Sequence, residues 1–194
     1  MIEYIKGTVT ELTPTSAIIE TAGVGYFLHI SLITYSLLDH QKDALLYTYE
    51  AIREDAHLLF GFYTKEEREM FLLLISVSGI GANTARMMLS SLSVDEMKQI
   101  ILSEDSTALK NIKGIGLKTA QRVIIDLKDK VKLVSVNSKA ATIIGNTTVK
   151  SEAASALVML GFQQLQVTKA LDKIFTETPS IPIEQAIKKA LKIL

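Results

Sequence analysis

Hydrophobic and polar positions change their period along this chain. Over the first 63 residues, short runs rich in β-branched and aromatic residues (Ile5 to Leu12, Ala17 to Thr21, Tyr26 to Ile30, Ala44 to Ile52 and His57 to Phe62) alternate with breaks that hold Pro14, Gly23 and Gly25. Such runs predict strands. Five short strands suit a small barrel, and the oligonucleotide-binding (OB) type is the preferred expectation. From Thr64 the period lengthens. Thr64-x-x-Glu67 reads as a capping box, and Met70, Phe71, Leu74 and Ile75 follow at helical spacing. Phe71 and Leu72 to Leu74 are assigned to the core. Asn83 to Leu92 predicts a further helix; Ser93-x-x-Glu96 caps another, with Met97, Ile100 and Ile101 inward; Lys118 to Lys132 predicts the longest. Between 133 and 150 the pattern dissolves among Ser135, Asn137, Ser138, Gly145, Asn146, Thr147 and Thr148, which predicts a linker. A helix from Ser151 through Leu157 and Leu160, ended by Gly161, a second over Leu165 to Phe175 and a third from Ile183 make a small bundle.

The expected fold is therefore α+β and multidomain: an OB-type barrel over 1–63, an all-α region over 64–134, a linker over 135–148 and three helices over 149–194. Within the all-α region one pattern occurs twice. Val77-Ser78-Gly79-Ile80-Gly81-Ala82-Asn83-Thr84-Ala85 and Ile112-Lys113-Gly114-Ile115-Gly116-Leu117-Lys118-Thr119-Ala120 match at five positions, each shifted by 35 residues. Two glycines between helical segments, anchored by apolar residues, describe a helix-hairpin-helix. Glycine tolerates positive φ and lets backbone amides approach a ligand closely. The amides opening the next helix then face an anion, aided by the helix dipole. Such a site grips phosphate without reading a base. Gly79, Gly81, Asn83, Thr84, Lys113, Gly114, Gly116, Lys118, Thr119 and Arg122 are accordingly the candidate DNA-binding residues. A nucleotide loop is excluded, because no Gly-x-x-x-x-Gly-Lys-Ser/Thr run exists and neither copy completes Gly-x-Gly-x-x-Gly.

Charge adds to this picture. The formal net charge is zero, yet residues 1–63 carry three basic and eight acidic side chains, 64–139 twelve and nine, and 140–194 six and four. The basic excess begins where the hairpins do. With no cysteine there is no disulfide or thiolate metal site, and His29, His40 and His57 are too scattered for a metal centre. No cofactor is expected. No apolar run reaches the length of a membrane span and no signal peptide is visible, so a cytoplasmic protein is expected.

Two adjacent carboxylates, Glu54 and Asp55, sit in Arg53-Glu54-Asp55-Ala56 between the last two strands. From the residues alone this is a solvated polar turn, since carboxylates beside DNA repel phosphate. Catalysis has little support: Asp126 and Asp129 follow the second hairpin without a lysine nucleophile or a Gly-Pro-Asp turn. The better rival is a nonspecific single-strand DNA or RNA adaptor, with Tyr4, Tyr26 and Phe27 as a stacking platform.

Taken together, Met1-Ile2-x-x-Ile5-x-Gly7, Gly23-Val24-Gly25-Tyr26, Arg53-Glu54-Asp55-Ala56-x-Leu58-Leu59-x-Gly61-Phe62, the tandem hairpins and the small C-terminal bundle resemble the RuvA family over the whole chain. That resemblance implies the DNA-binding, non-catalytic subunit of the bacterial Holliday junction branch-migration complex. It implies a homotetramer, with pairing of two tetramers into an octamer on DNA left open. The implied partners are four-way junction DNA, the hexameric RuvB ATPase and, further, the RuvC resolvase. It also changes the reading of Glu54 and Asp55, which match the family's acidic pin at the junction crossover. In the C-terminal bundle, the Leu160-Gly161-Phe162 turn resembles that of ubiquitin-associated domains, making Leu157, Leu160 and Phe162 candidates for partner binding. The chain departs from the family at Asn83 and Leu117, where lysines are usual. If Lys118 and Arg122 each neutralise a phosphate on four subunits, about eight contacts give a log-log salt slope near −7.

Overall fold

The computed structural model describes residues 1–140 and 145–194, with side chains outside 133–148. Strands β1 (Tyr4–Thr13), β2 (Ser16–Thr21), β3 (Val24–Ile30), β4 (Asp43–Ile52) and β5 (His57–Phe62) close a barrel in the order β1-β2-β3-β5-β4. Every pairing is antiparallel except β3 with β5, which run parallel at His29 opposite Phe60 and Ile30 opposite Gly61. Alternate residues turn inward, as a pleated strand requires. Ala17 and Ile19, Leu28 and Ile30, and Ala44 and Leu46 thus fill the barrel with Ile5.

Helix α1 (Leu32–Leu38) follows β3 and buries Thr34 and Leu38. Periodicity does not predict it: seven residues show too little repeat, and Leu32 and Leu37 are exposed. Ser31 caps it, its hydroxyl accepting from the Thr34 N–H at 3.0 Å.

Helices α2 (Lys65–Ile75), α3 (Ala82–Ser91), α4 (Val94–Leu102), α5 (Ser106–Lys110) and α6 (Leu117–Ala140) follow. Their core is continuous with the far end of the barrel through an aromatic cluster. The Phe71 ring lies 4.8 Å from Phe62, 5.3 Å from Tyr49 and 5.4 Å from Phe60 between centroids. Truncating such a residue costs about 3–5 kcal/mol. Met70, Phe71 and Leu74 are buried as expected, but Leu72 is 40% exposed. It lies one position beyond Phe71, on the solvent side of a one-sided helix.

The capping box at Thr64 is only half formed. Thr64 Oγ1 accepts from the Glu67 N–H at 3.1 Å. The Glu67 carboxylate, however, is buried and turned to the barrel, accepting from the Ser31 hydroxyl at 2.5 Å, the Thr34 hydroxyl at 2.6 Å and the Tyr63 N–H at 3.2 Å. A second clasp joins α3 to the barrel: Arg86 donates to the Thr15 carbonyl at 3.1 Å and the Ile30 carbonyl at 3.2 Å. Burial pulls the Arg86 guanidinium below its usual pKa.

Met1–Lys132 and Leu133–Leu194 are two compact units. In the second, α7 (Gly145–Met159), α8 (Gln164–Glu177) and α9 (Ile183–Ala190) pack around Leu157, Val167, Leu171, Ile174 and Ala186. Helices α6 and α7 extend into the stretch 135–148 read above as a linker. Residues 141–144 lie outside the described residues.

Candidate nucleic-acid interface

The two Gly-Ile-Gly segments fold alike, bond for bond. In the first, the Val77 N–H donates to the Leu74 carbonyl at 3.1 Å, Ile80 to Val77 at 3.0 Å and Ala85 to Gly81 at 2.9 Å. In the second, Ile112 donates to Leu109 at 3.1 Å, Ile115 to Ile112 at 3.1 Å and Ala120 to Gly116 at 2.9 Å. The anchors Val77, Ile80, Ala85, Ile112, Ile115 and Ala120 are all buried, so each loop is seated from below. Gly79 (φ +95°) and Gly114 (φ +89°) make the reversal in the left-handed region, where a Cβ is strained.

The second glycine of each pair has a different role. Gly81 has φ −89°, which any residue adopts, and a Cβ at Gly81 or Gly116 would meet no protein atom within 4 Å. Neither backbone strain nor crowding requires glycine at these two positions. What they leave open is the surface directly before helices α3 and α6. The capping pattern agrees. Within Met1–Lys132, α1, α2, α4 and α5 are closed by side chains of Ser31, Thr64, Ser93 and Asp105, whereas α3 begins at Gly81 with no side-chain cap; in the second unit α8 and α9 also start without one. The first-turn amides of Ala82, Asn83 and Thr84 have no intrahelical acceptor, which makes a helix start of this kind suited to an anion. Gly116 stands at the matching place before α6, its carbonyl accepting from the Ala120 N–H at 2.9 Å.

Cations are distributed unequally between the hairpins. Lys113 and Lys118 are exposed at the second, whereas the first has none from Val77 to Ala85, and its Asn83 is exposed and neutral. Thr84 and Thr119 are half-buried at matching positions, and Leu117 is 47% exposed. Arg122 does not stand free. Its guanidinium donates to the Ser78 carbonyl of the first hairpin at 3.2 Å.

The acidic turn is a tight hairpin tip. The Arg53 N–H donates to the Ala56 carbonyl at 2.8 Å, and Glu54 and Asp55 are both exposed. Ile52 and His57 form the last cross-strand pair below it. The stem of this hairpin and the first Gly-Ile-Gly loop line one groove of about 590 Å³, with Ile52 and Arg53 on one wall and Ile80, Gly81 and Ala82 on the other. Sequence spacing gave no sign that residues 28 positions apart would share a groove. It also missed Arg86 and the Glu67 clasp, whose partners are distant in the chain and carry no motif.

The rival stacking platform does not assemble. Tyr4 lies on β1, which pairs with β2 and β4, while Tyr26 and Phe27 lie on β3. Tyr26 and Phe27, as neighbours on one strand, point to opposite faces. Among the described residues no group of three or more His, Asp or Glu could hold a metal ion, and no helix is long and apolar enough to cross a membrane.

In the C-terminal unit one candidate is corrected. Leu157 is fully buried in the three-helix core, because it faces Val167 and Leu171 rather than solvent. Leu160 is 61% exposed and Phe162 is half-buried; Met159 at 89% and Leu165 at 75% complete the exposed apolar surface around the Gly161 turn.

Comparison with known families agrees along the length of the chain. Residues 1–61 match the model of the RuvA N-terminal domain, 71–129 a SAM-like helix-hairpin-helix tandem and 148–194 the RuvA C-terminal domain. The chain is 53% identical over 204 residues to the Holliday junction branch migration complex subunit RuvA of Bacteroides fragilis, covering all of both chains. It is 54% identical over 198 residues to the same-named protein of Parabacteroides distasonis and 48% over 195 residues to that of Flavobacterium psychrophilum, again with full coverage of both chains.

Proposed function

The chain belongs to the RuvA family, and from that premise we propose that it is a Holliday junction branch-migration subunit that grips the junction arms through two backbone-amide sites. One observation carries the grip: Gly81 and Gly116 are glycines that neither the local φ nor any neighbouring atom of the protein demands. A phosphate approaching the open helix starts would demand them. Gly79, Asn83, Thr84, Gly114, Thr119, Lys113 and Lys118 complete the two sites. Contacts to phosphate carry no sequence information. Duplex can therefore move through the grip at any sequence, which branch migration requires.

Four copies would present four pairs of hairpins, one pair for each arm, holding the junction open and flat. In that arrangement Glu54 and Asp55 approach the crossover from the barrel, and their charge repels phosphates and favours parted strands. The chain acts as the non-catalytic subunit; the RuvB ATPase supplies the motor and docks on the exposed Met159, Leu160 and Leu165, beside the half-buried Phe162. A junction resolvase would then engage the same flattened junction.

The test is a titration of the purified protein against a synthetic four-way junction, with duplex and single strand of equal length as competitors. Junction binding that survives a large excess of both supports this function. Equal competition by single strand overturns it in favour of a general nucleic-acid adaptor.

A further inference from the structure

The first hairpin carries no cation of its own, yet α6 brings two to it. Arg122 donates to the Ser78 carbonyl at 3.2 Å, and Lys130, two turns further along, has its Nζ 3.5 Å from Ser76 Oγ. Ser76 is the C-cap of α2 and Ser78 the residue before Gly79, so both cations sit where carbonyls at a helix C-terminus leave partial negative charge. α6 is also the helix whose first turn forms the second amide site. A single rigid element therefore carries one phosphate site at its start and, about one turn later, a guanidinium that holds the loop of the other.

We propose that Arg122 is a positioning residue: through the Ser78 carbonyl it fixes the spacing between the two amide sites, so that both meet one duplex together. This deepens the proposed function and rests on it. The buried anchors seat each loop separately on the core, whereas Arg122 joins the exposed parts, where Gly79 allows the chain to turn freely. Planarity matters here. One N–H of the rigid, planar guanidinium makes this bond, and lysine, a point charge on a flexible stem, does not hold a donor in the same direction. Arg122 thus contributes little as a free phosphate ligand, in contrast to the exposed Lys118.

The two roles separate in one experiment with the full-length protein. Junction and duplex affinities of wild type, Arg122→Lys, Arg122→Gln and Lys118→Gln are measured from 50 to 200 mM salt, with thermal melting of each variant alongside. A positioning role predicts that Arg122→Lys and Arg122→Gln both lose about tenfold in affinity for junction and duplex alike. It also predicts that they keep the wild-type salt slope and melt as wild type does, while Lys118→Gln makes the slope shallower by about 0.9 per subunit. Overturning the proposal requires either of two results: Arg122→Lys binding within threefold of wild type, or Arg122→Gln making the slope shallower as Lys118→Gln does. A wild-type protein that does not prefer junction to duplex would instead refute the proposed function and leave the Arg122 comparison readable on duplex alone.

Discussion

The two hairpins have one backbone and two chemistries. Offset by 35 residues, they repeat the same hydrogen bonds, the same left-handed first glycine and the same buried anchors. Around that frame the second carries Lys113 and Lys118, while the first carries Ser78 and Asn83. What is repeated is the geometry of the amide sites and the opening in front of them. What varies is the charge. A grip made by main-chain donors and helix dipoles survives such variation, because those partial charges do not depend on side-chain identity.

The largest effect is expected from replacing the glycines that make the turn. Gly79→Ala with Gly114→Ala forces a Cβ into the left-handed region at both loops. We expect about 1–2 kcal/mol of lost stability at each site, read by thermal melting, with junction binding lost at every sequence alike. Loss confined to particular junction sequences would indicate base readout instead.

Gly81→Ala and Gly116→Ala separate the phosphate grip from the fold. Neither position needs glycine for its φ or for space, so melting should change little: the entropy alanine removes from the unfolded chain, up to about 1 kcal/mol, is offset by the preference of a helix N-cap for glycine over alanine. Junction affinity should nevertheless fall about tenfold, ~1.4 kcal/mol, for each. Comparable losses would show equivalent amide sites, and a loss at Gly116 alone would show that only the charged hairpin binds.

Asn83→Lys gives the first hairpin the cation the second already has. The expected result is tighter binding with a salt slope steeper by about 0.9 per subunit, measured by titration at several salt concentrations. Smaller still is the acidic tip. Glu54→Gln with Asp55→Asn should tighten junction binding by about fivefold, the ~1 kcal/mol between unit charges 4 Å apart in water, and change the migration rate. Unchanged binding together with an unchanged rate would remove the pin role.

The smallest effect belongs to His29, which lies near Arg86 at the clasp between barrel and α3. Burial, and then the Arg86 charge, hold its imidazole below the ordinary value of 6.5. Between the two pKa values the unfolded chain binds more protons than the folded one, so stability falls as pH drops below about 6.5. His29→Gln should flatten that part of a melting-temperature profile.

Much of this was legible in the sequence because it is local. The five strands, the Thr64 N-cap and both hairpins follow from spacing within about ten residues. The parts that were not legible depend on long-range pairing. Helix α1 is short and half exposed. Glu67 looks like an ordinary capping-box residue until Ser31 and Thr34 are brought to it from the barrel. Leu157 and Leu160 are equally apolar in sequence, and only the packing of α7 on α8 makes one core and the other surface. Arg122 reads as one more basic residue beside a hairpin. Its partner is 44 residues away.

If backbone amides at both helix starts hold the phosphates, a bound junction shields those amides from solvent. Hydrogen exchange of the full-length protein, with and without a four-way junction, tests it most directly. Slowed exchange on binding is expected over both 79–84 and 114–119, to a similar degree in spite of their unequal charge. Protection confined to the second hairpin, or to the barrel strands carrying Tyr4 and Phe27, would contradict it.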